Sequence, residues 1–336
     1  METRNAAQLS IRDLEVHYVT GEETVRAVNG ISIDLEAGDA LGLVGETGAG
    51  KTTTAFSILR LLPKMTGHIA AGSIMFEGKN LLEATEEEMR SIRGNRISMI
   101  FQDPMTSLNP IFTVGAQIGE VFEIHEGLSK KDAFEKAGDM LELVGIPRER
   151  ANDYPHQFSG GMKQRVVIAS ALACNPRLLL ADEPTTALDV TIQAQVLRMI
   201  RELKSRLNTT LVLISHDLGV VAQVCTKVAI MYAGRLVEYG PLKEVFKRPL
   251  HPYTEGLFNS IPRLDADTER LTPIRGLMPD PSRLPSGCRF APRCPYAREL
   301  CRERAPVSTV VEGRHVECLM YEGAIENTMR NDHVQQ

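Results

Sequence analysis

The run Gly45-Glu46-Thr47-Gly48-Ala49-Gly50-Lys51-Thr52 carries the strongest chemical signal in the chain. It follows the apolar stretch GDALGLV and precedes TTTAFSILRLL, so it reads as a loop between a strand and a helix. Glycines let such a loop curl until its backbone N–H groups face an anion, and the helix N-terminus behind it adds a favourable dipole. The span from Gly45 through Thr53 is therefore a candidate ATP-binding segment, with Lys51 on the β- and γ-phosphates and the Thr52 hydroxyl on Mg²⁺. Asp182 and Glu183 end a second apolar run, LLLADE. Alone that pattern is commonplace. Beside the lysine loop, Asp182 reads as a Mg²⁺ ligand acting through water, and Glu183 as the group that orients or deprotonates the attacking water.

Two further clusters call for an account. Ser159-Gly160-Gly161-Met162 opens a helical stretch and offers a second phosphate-facing N-terminus. By itself it is an ordinary helix cap. A second cradle gains meaning if two chains meet head to tail, each completing the other's site. Cys288, Cys294, Cys301 and Cys318 follow in the tail with spacing C-x₅-C-x₆-C-x₁₆-C. Cys174 and Cys225 sit in apolar surroundings and are expected to be small buried hydrophobes.

The elements that position these groups follow an α/β pattern. LSIRDLEVHYV alternates as a half-buried strand, and GSIMFEGKNL reads as a hairpin turning at Glu77-Gly78. RISMI, RLLLAD, TTLVLIS and KVAIMY are short apolar runs ending in polar residues, interleaved with helical patterns, which predicts a parallel sheet. Ligands of such sheets bind beyond the carboxyl ends of the strands. A helical insert is expected over about 105–175, inside a nucleotide-binding unit spanning 1–240. From 241 to 325 prolines recur and periodicity fades, which predicts an irregular extension, with a polar tail at 326–336.

Composition narrows the function. The 336 residues carry a net charge of −5 and no tryptophan, which argues against a nucleic-acid partner. No secretory apolar segment and no run of ~18 apolar residues is present. The expectation is a cytoplasmic protein whose thiols stay reduced, so a disulfide framework is disfavoured.

Across about Leu9 to Tyr239 the sequence strongly resembles the ATP-binding subunits of ABC transporters. The motifs run in order: Walker A at Gly45–Thr52, a Q-loop at Gln102, the signature at Ser159–Met162, Walker B at Asp182–Glu183, a D-loop Ala187-Leu188-Asp189 and a switch histidine, His216. The resemblance implies a RecA-like parallel-sheet core with an N-terminal antiparallel β subdomain and a helical subdomain. It makes Tyr18 the residue that stacks on adenine, and Gln102 a contact to Mg²⁺ and the water. It places His216 on the γ-phosphate, and Asp189 at the dimer interface. Met162 stands where the family signature has glutamine, which makes slower hydrolysis at that one site an expectation. The adjacent Ser215-His216-Asp217 is not a hydrolase triad, because neighbours in a strand point to opposite faces.

Arg248-Pro-Leu-His-Pro-Tyr-Thr-Glu-Gly-Leu257 and RGLMPDPSRLPSGCRFAPRC resemble the C-terminal segment of ATPases from peptide and nickel importers, extending the likeness to about Cys318. This implies a dipeptide or oligopeptide importer with two membrane permease subunits, an extracytoplasmic binding protein and a second, paralogous ATPase. The chain would then be peripheral on the cytoplasmic membrane face. Nickel or another small solute is the alternative cargo; a soluble ABC protein acting on ribosomes or DNA would carry two cassettes or a long coiled-coil insertion. For the four tail cysteines the reading is a [4Fe–4S] cluster, with Arg289, Arg293, Arg298, Arg302 and Arg304 available to balance its charge. Zinc and free thiols are the alternatives, the spacing being looser than a zinc ribbon's. A tail acting as a redox-sensing or interaction module is a third reading.

Overall fold

The computed structural model describes residues 7–186, 188–260 and 274–322. Ala187 of the expected D-loop and the expected tail at 326–336 lie outside the described residues.

Leu9–Thr20 (β1) and Glu23–Leu35 (β2) pair antiparallel, with Leu9, Ile11, Leu14 and Val16 buried on one face. Ala40–Val44 (β3) then leads through the glycine run into Lys51–Ile58 (α1). Gly67–Phe76 (β4) and Lys79–Asn80 (β5) form the expected hairpin, with Glu77 and Gly78 both at positive φ. These strands make a four-stranded sheet of order β2-β1-β4-β5. Glu86–Ile92 (α2) starts with a capping box from Thr85 and Glu88 and leads to Ile97–Ile100 (β6).

The helical insert follows. Pro104–Ser107 (α3), Val114–Glu126 (α4), Lys130–Leu143 (α5) and Gly160–Leu172 (α6) lie between β6 and Leu178–Asp182 (β7). Val190–Leu207 (α7), Thr210–Ile214 (β8), Leu218–Val224 (α8), Lys227–Tyr232 (β9) and Arg235–Pro241 (β10) complete the alternation. Beyond them lie Leu242–Lys247 (α9), Pro252–Asn259 (α10), Glu299–Glu303 (α11), Thr309–Val311 (β11) and Arg314–Val316 (β12).

The second sheet has order β11-β12-β10-β9-β3-β8-β7-β6. Its run from β9 to β6 is parallel and buried on both faces: Leu41 and Leu43 face the core shared with the first sheet, whereas Ala40 and Val44 face the helices. The strand tips are in register, with Leu43 beside Ile214 and Asp182 beside Ile214, so the polar residues after β3, β7 and β8 emerge along one edge.

The extension is more regular than its sequence suggested. β10 crosses the expected 240/241 boundary, and β12 pairs with it through Glu238↔Val316 and Tyr239↔His315. Strands of three residues are too short to show a period of two, which is why the pattern hid them. A buried ion pair joins the two strands: Arg314 lies 3.2 Å from Glu238, which also accepts the backbone N–H groups of Leu250 and His251.

Candidate active site

The loop after β3 is shaped by close approaches that exclude a side chain. Gly50 has φ +103°, and a Cβ there would stand 2.4 Å from the Ala27 carbonyl oxygen; at Gly45 it would stand 2.2 Å from that of Met231. Lys51 is nearly buried and donates to the carbonyl oxygens of Gly45 (2.7 Å) and Glu46 (2.9 Å). Burial lowers its pKa, opposed by the nearby carboxylates of Glu183, Asp182 and Glu46. The Thr52 hydroxyl donates to Asp182, whose carboxyl is pushed up by burial and by Glu183, against that hydrogen bond and the Lys51 charge. The Tyr18 hydroxyl lies 3.3 Å from the Thr53 hydroxyl, which sets the ring beside the start of α1.

Glu183 is the hub. It has φ +48°, a turn that lifts its side chain off the end of β7. Gln102 donates to its Oε2 at 2.9 Å, Thr186 donates to the same oxygen at 3.0 Å, and His216 Nδ1 lies 3.0 Å from Oε1. Burial works to raise its pKa, but the His216 and Thr186 hydrogen bonds, the His216 charge and Gln102 outweigh it and hold it below the usual carboxylate range. Gln102, Asp182, Glu183 and His216 come from three different strand ends, and only the sheet brings them together. The donor set of Thr52, Gln102 and Asp182 is all oxygen, as Mg²⁺ demands, and a buried carboxyl raised by desolvation fits a site built for added positive charge.

The signature sits elsewhere. Ser159 caps α6 by accepting the Met162 N–H at 3.4 Å, and Ser159 and Gly160 are exposed. Gly161 packs under Ile192 of α7, where a Cβ would come within 2.5 Å of its side chain. Asp189 caps α7 through the Ile192 N–H at 3.0 Å.

Contacts between the ATP loop and the C-terminal segment escaped sequence reasoning. The Glu46 N–H donates to the Tyr253 hydroxyl at 3.0 Å, and Arg293 donates to both Glu46 oxygens at 2.9 and 3.0 Å. Met278 lies over Gly48. The HPY motif itself explains the first contact. His251 Nδ1 accepts the Tyr253 N–H, Pro252 starts α10, and Tyr253 reaches across to the loop. Only the motif's presence in the sequence was a signal; nothing there pointed to Glu46.

The four tail cysteines line one small cavity with Phe290 and Leu319, and all are unpaired thiols. Backbone N–H groups point at three of them: Phe290 and Ala291 at Cys288, Tyr296 at Cys294, Met320 at Cys318. Burial still pushes Cys288 up, Cys294 to about 11 and Cys318 to about 12. Among the described residues no group of three or more His, Cys, Asp or Glu forms a site that could hold a metal ion, so neither the expected cluster nor zinc finds a preformed set of ligands. The expected arginine counter-charge is partly engaged elsewhere: Arg293 pairs with Glu46, and Arg304 with Glu322. Cys225 is buried as expected, whereas Cys174 is only partly so.

A glycine loop, paired carboxylates and a capped signature helix on this sheet define an ATPase of the ATP-binding-cassette class. A dimeric bacterial ABC transporter cassette superposes with TM-score 0.62 at 25% identity, covering 70% of this chain and 98% of that one. The family model described as ABC transporter matches residues 28–186, and the one described as Oligopeptide/dipeptide transporter, C-terminal region, matches 237–301. The chain is 53% identical over 310 residues to a probable peptide ABC transporter ATP-binding protein of Sinorhizobium fredii, covering 91% of this chain and 92% of the relative. It is 50% identical to an oligopeptide transport ATP-binding protein of Salmonella typhimurium, with 92% of each chain covered. A dipeptide transport ATP-binding protein of Bacillus subtilis is likewise 50% identical, covering 96% of this chain and 97% of that one. The chain belongs to the oligopeptide/dipeptide ABC transporter ATP-binding family.

Proposed function

We propose that this chain hydrolyses ATP to power import of dipeptides and oligopeptides from the cytoplasmic face of a membrane. One observation carries the reading: the carboxylate hub at Glu183 stands beside the lysine loop, in a chain whose 237–301 segment matches the oligopeptide/dipeptide model. Glu183, held ionised, accepts the proton of the attacking water, and Gln102 and His216 fix its direction. Lys51 and the loop amides stabilise charge on the phosphates, and Tyr18 flanks the base. Mg²⁺, held by Thr52, Asp182 and Gln102, neutralises phosphate charge when bound.

Among the described residues no helix is long and apolar enough to cross a membrane, so transport requires permease subunits. Phe101, Ile111 and Phe112, near Gln102 in sequence, are exposed and offer them an apolar landing. Two permeases, a paralogous ATPase and an extracytoplasmic binding protein complete the assembly in this reading. A nickel importer is the alternative, since the ATPase never touches cargo.

The same reading gives the tail cysteines a [4Fe–4S] cluster. Four thiols around one cavity with N–H groups on the sulfurs suit a cluster several atoms wide. Zinc, which needs its sulfur donors at about 2.3 Å, is the alternative occupant of the same cavity.

The test is uptake. Cells lacking this chain should lose accumulation of labelled dipeptide or oligopeptide, and regain it with the wild type but not with Glu183→Gln. That variant should bind ATP normally and lose at least about 100-fold in turnover. Uptake of nickel in place of peptide would redirect the cargo; turnover surviving in the variant would unseat Glu183.

A further inference from the structure

The nucleotide loop is gripped at its second residue by the C-terminal segment. Glu46 is held at three points: its N–H on the Tyr253 hydroxyl, its carboxylate on Arg293, and its carbonyl on the Lys51 ammonium. Both outside partners are themselves fixed. Arg293 is 6% exposed, donates to the Arg275 carbonyl at 3.0 Å and lies 5.7 Å over the Tyr232 ring. Tyr253 is fully buried against Tyr232 and Phe290, with ring centroids 4.6 and 5.4 Å away. A buried arginine fixed this firmly gives up little freedom on pairing, so its bond to Glu46 is worth more than a surface pair.

Glu46 is a hazard in that position. Its carboxylate is close enough to Lys51 to raise the lysine pKa, so unpaired it would compete for the ammonium that the phosphates need. It would also repel the phosphates directly. We infer that Arg293 and Tyr253 are positioning residues for ATP binding: together they turn the Glu46 carboxylate away from Lys51 and fix the amide of the loop's second residue. The C-terminal segment thereby sets ATP affinity without contacting the reacting atoms.

The experiment is a double-mutant cycle on the purified full-length chain, read by trinitrophenyl-ATP fluorescence for Kd and by steady-state hydrolysis for KM and kcat. Arg293→Ala should raise Kd and KM roughly tenfold, the loss of one charge-assisted hydrogen bond, with kcat within about twofold. Arg293→Lys should recover part of that affinity. On a Glu46→Gln background, Arg293→Ala should cost almost nothing, because the charge it restrains has gone. Tyr253→Phe deletes one oxygen and leaves the ring packing, so it keeps the idea testable if Arg293→Ala fails to fold. It should raise Kd a few-fold. An unchanged Kd in Tyr253→Phe, an additive cycle, or a fall in kcat at constant KM would each overturn the assignment.

Discussion

His251 shows how a single side chain ties the extension to pH. It is 2% exposed, its Nδ1 accepts the Tyr253 N–H, and its other ring nitrogen donates to the Glu317 carbonyl. Burial pushes its pKa down to about 3 from 6.5, so the folded protein keeps it neutral where the unfolded chain protonates it. Its contribution to stability is therefore complete above pH 6.5 and is lost as pH falls, by at most ~1.4 kcal/mol per unit. Glu238 and Glu317 are raised by burial and act in the opposite sense, gaining protons on folding. Both remain in a His251→Asn variant, whose amide oxygen can still cap α10. Denaturant midpoints between pH 6.5 and 5 should then fall less steeply than in the wild type; equal slopes would remove His251 as the cause. Residues such as Lys51 and Glu183 were legible in the sequence because phosphate chemistry demands those types at those spacings. Glu46 and Arg293 were not. A carboxylate and an arginine 247 positions apart are ordinary residues until the fold joins them.

At the scale of elements, the cassette strands announced themselves through apolar runs ending in Asp182, His216 and the glycine loop. The β11–β12 hairpin did not, and its attachment rests on Arg314 and Glu238 rather than on apolar periodicity. The cysteine-bearing stretch likewise has few buried apolar side chains of its own, chiefly Phe290, Ala291, Val316 and Leu319. A segment with so little core gains from a cross-link, and in the proposed reading four half-buried cysteines around a cluster would supply one between 288–301 and 318. Without that group, burying those thiols does not favour their ionised form, as the upward shifts of Cys294 and Cys318 show. Anaerobically purified protein should contain iron and sulfide in equal amounts with a broad visible absorption. Cys294→Ser should lose both and melt several degrees lower. Stoichiometric zinc without iron would put a single ion there instead.

For the whole molecule, the proposed function assigns each chain two unlike halves of a phosphate site. The loop, carboxylates and histidine gather at one sheet edge, while Ser159 and Gly160 stand exposed at the start of α6 with the Ser159 hydroxyl turned onto its own helix. Val190, just past Asp189, is 83% exposed. Two chains placed head to tail bring each α6 N-terminus to the other's loop, where amides and helix dipole meet phosphate. The dimer is then held largely through ATP, so it should form when nucleotide binds and dissolve when hydrolysis removes the γ-phosphate. Glu183→Gln, which stops turnover, should therefore sediment as a dimer with Mg·ATP and as a monomer with Mg·ADP. Ser159→Arg, added to it, should hold it monomeric by crowding the phosphate. If the variant with Mg·ATP stays monomeric alone and pairs only with a paralogous ATPase from the same transporter, the second half-site belongs to that partner. Met162→Gln restoring self-pairing would then place the preference in the signature itself.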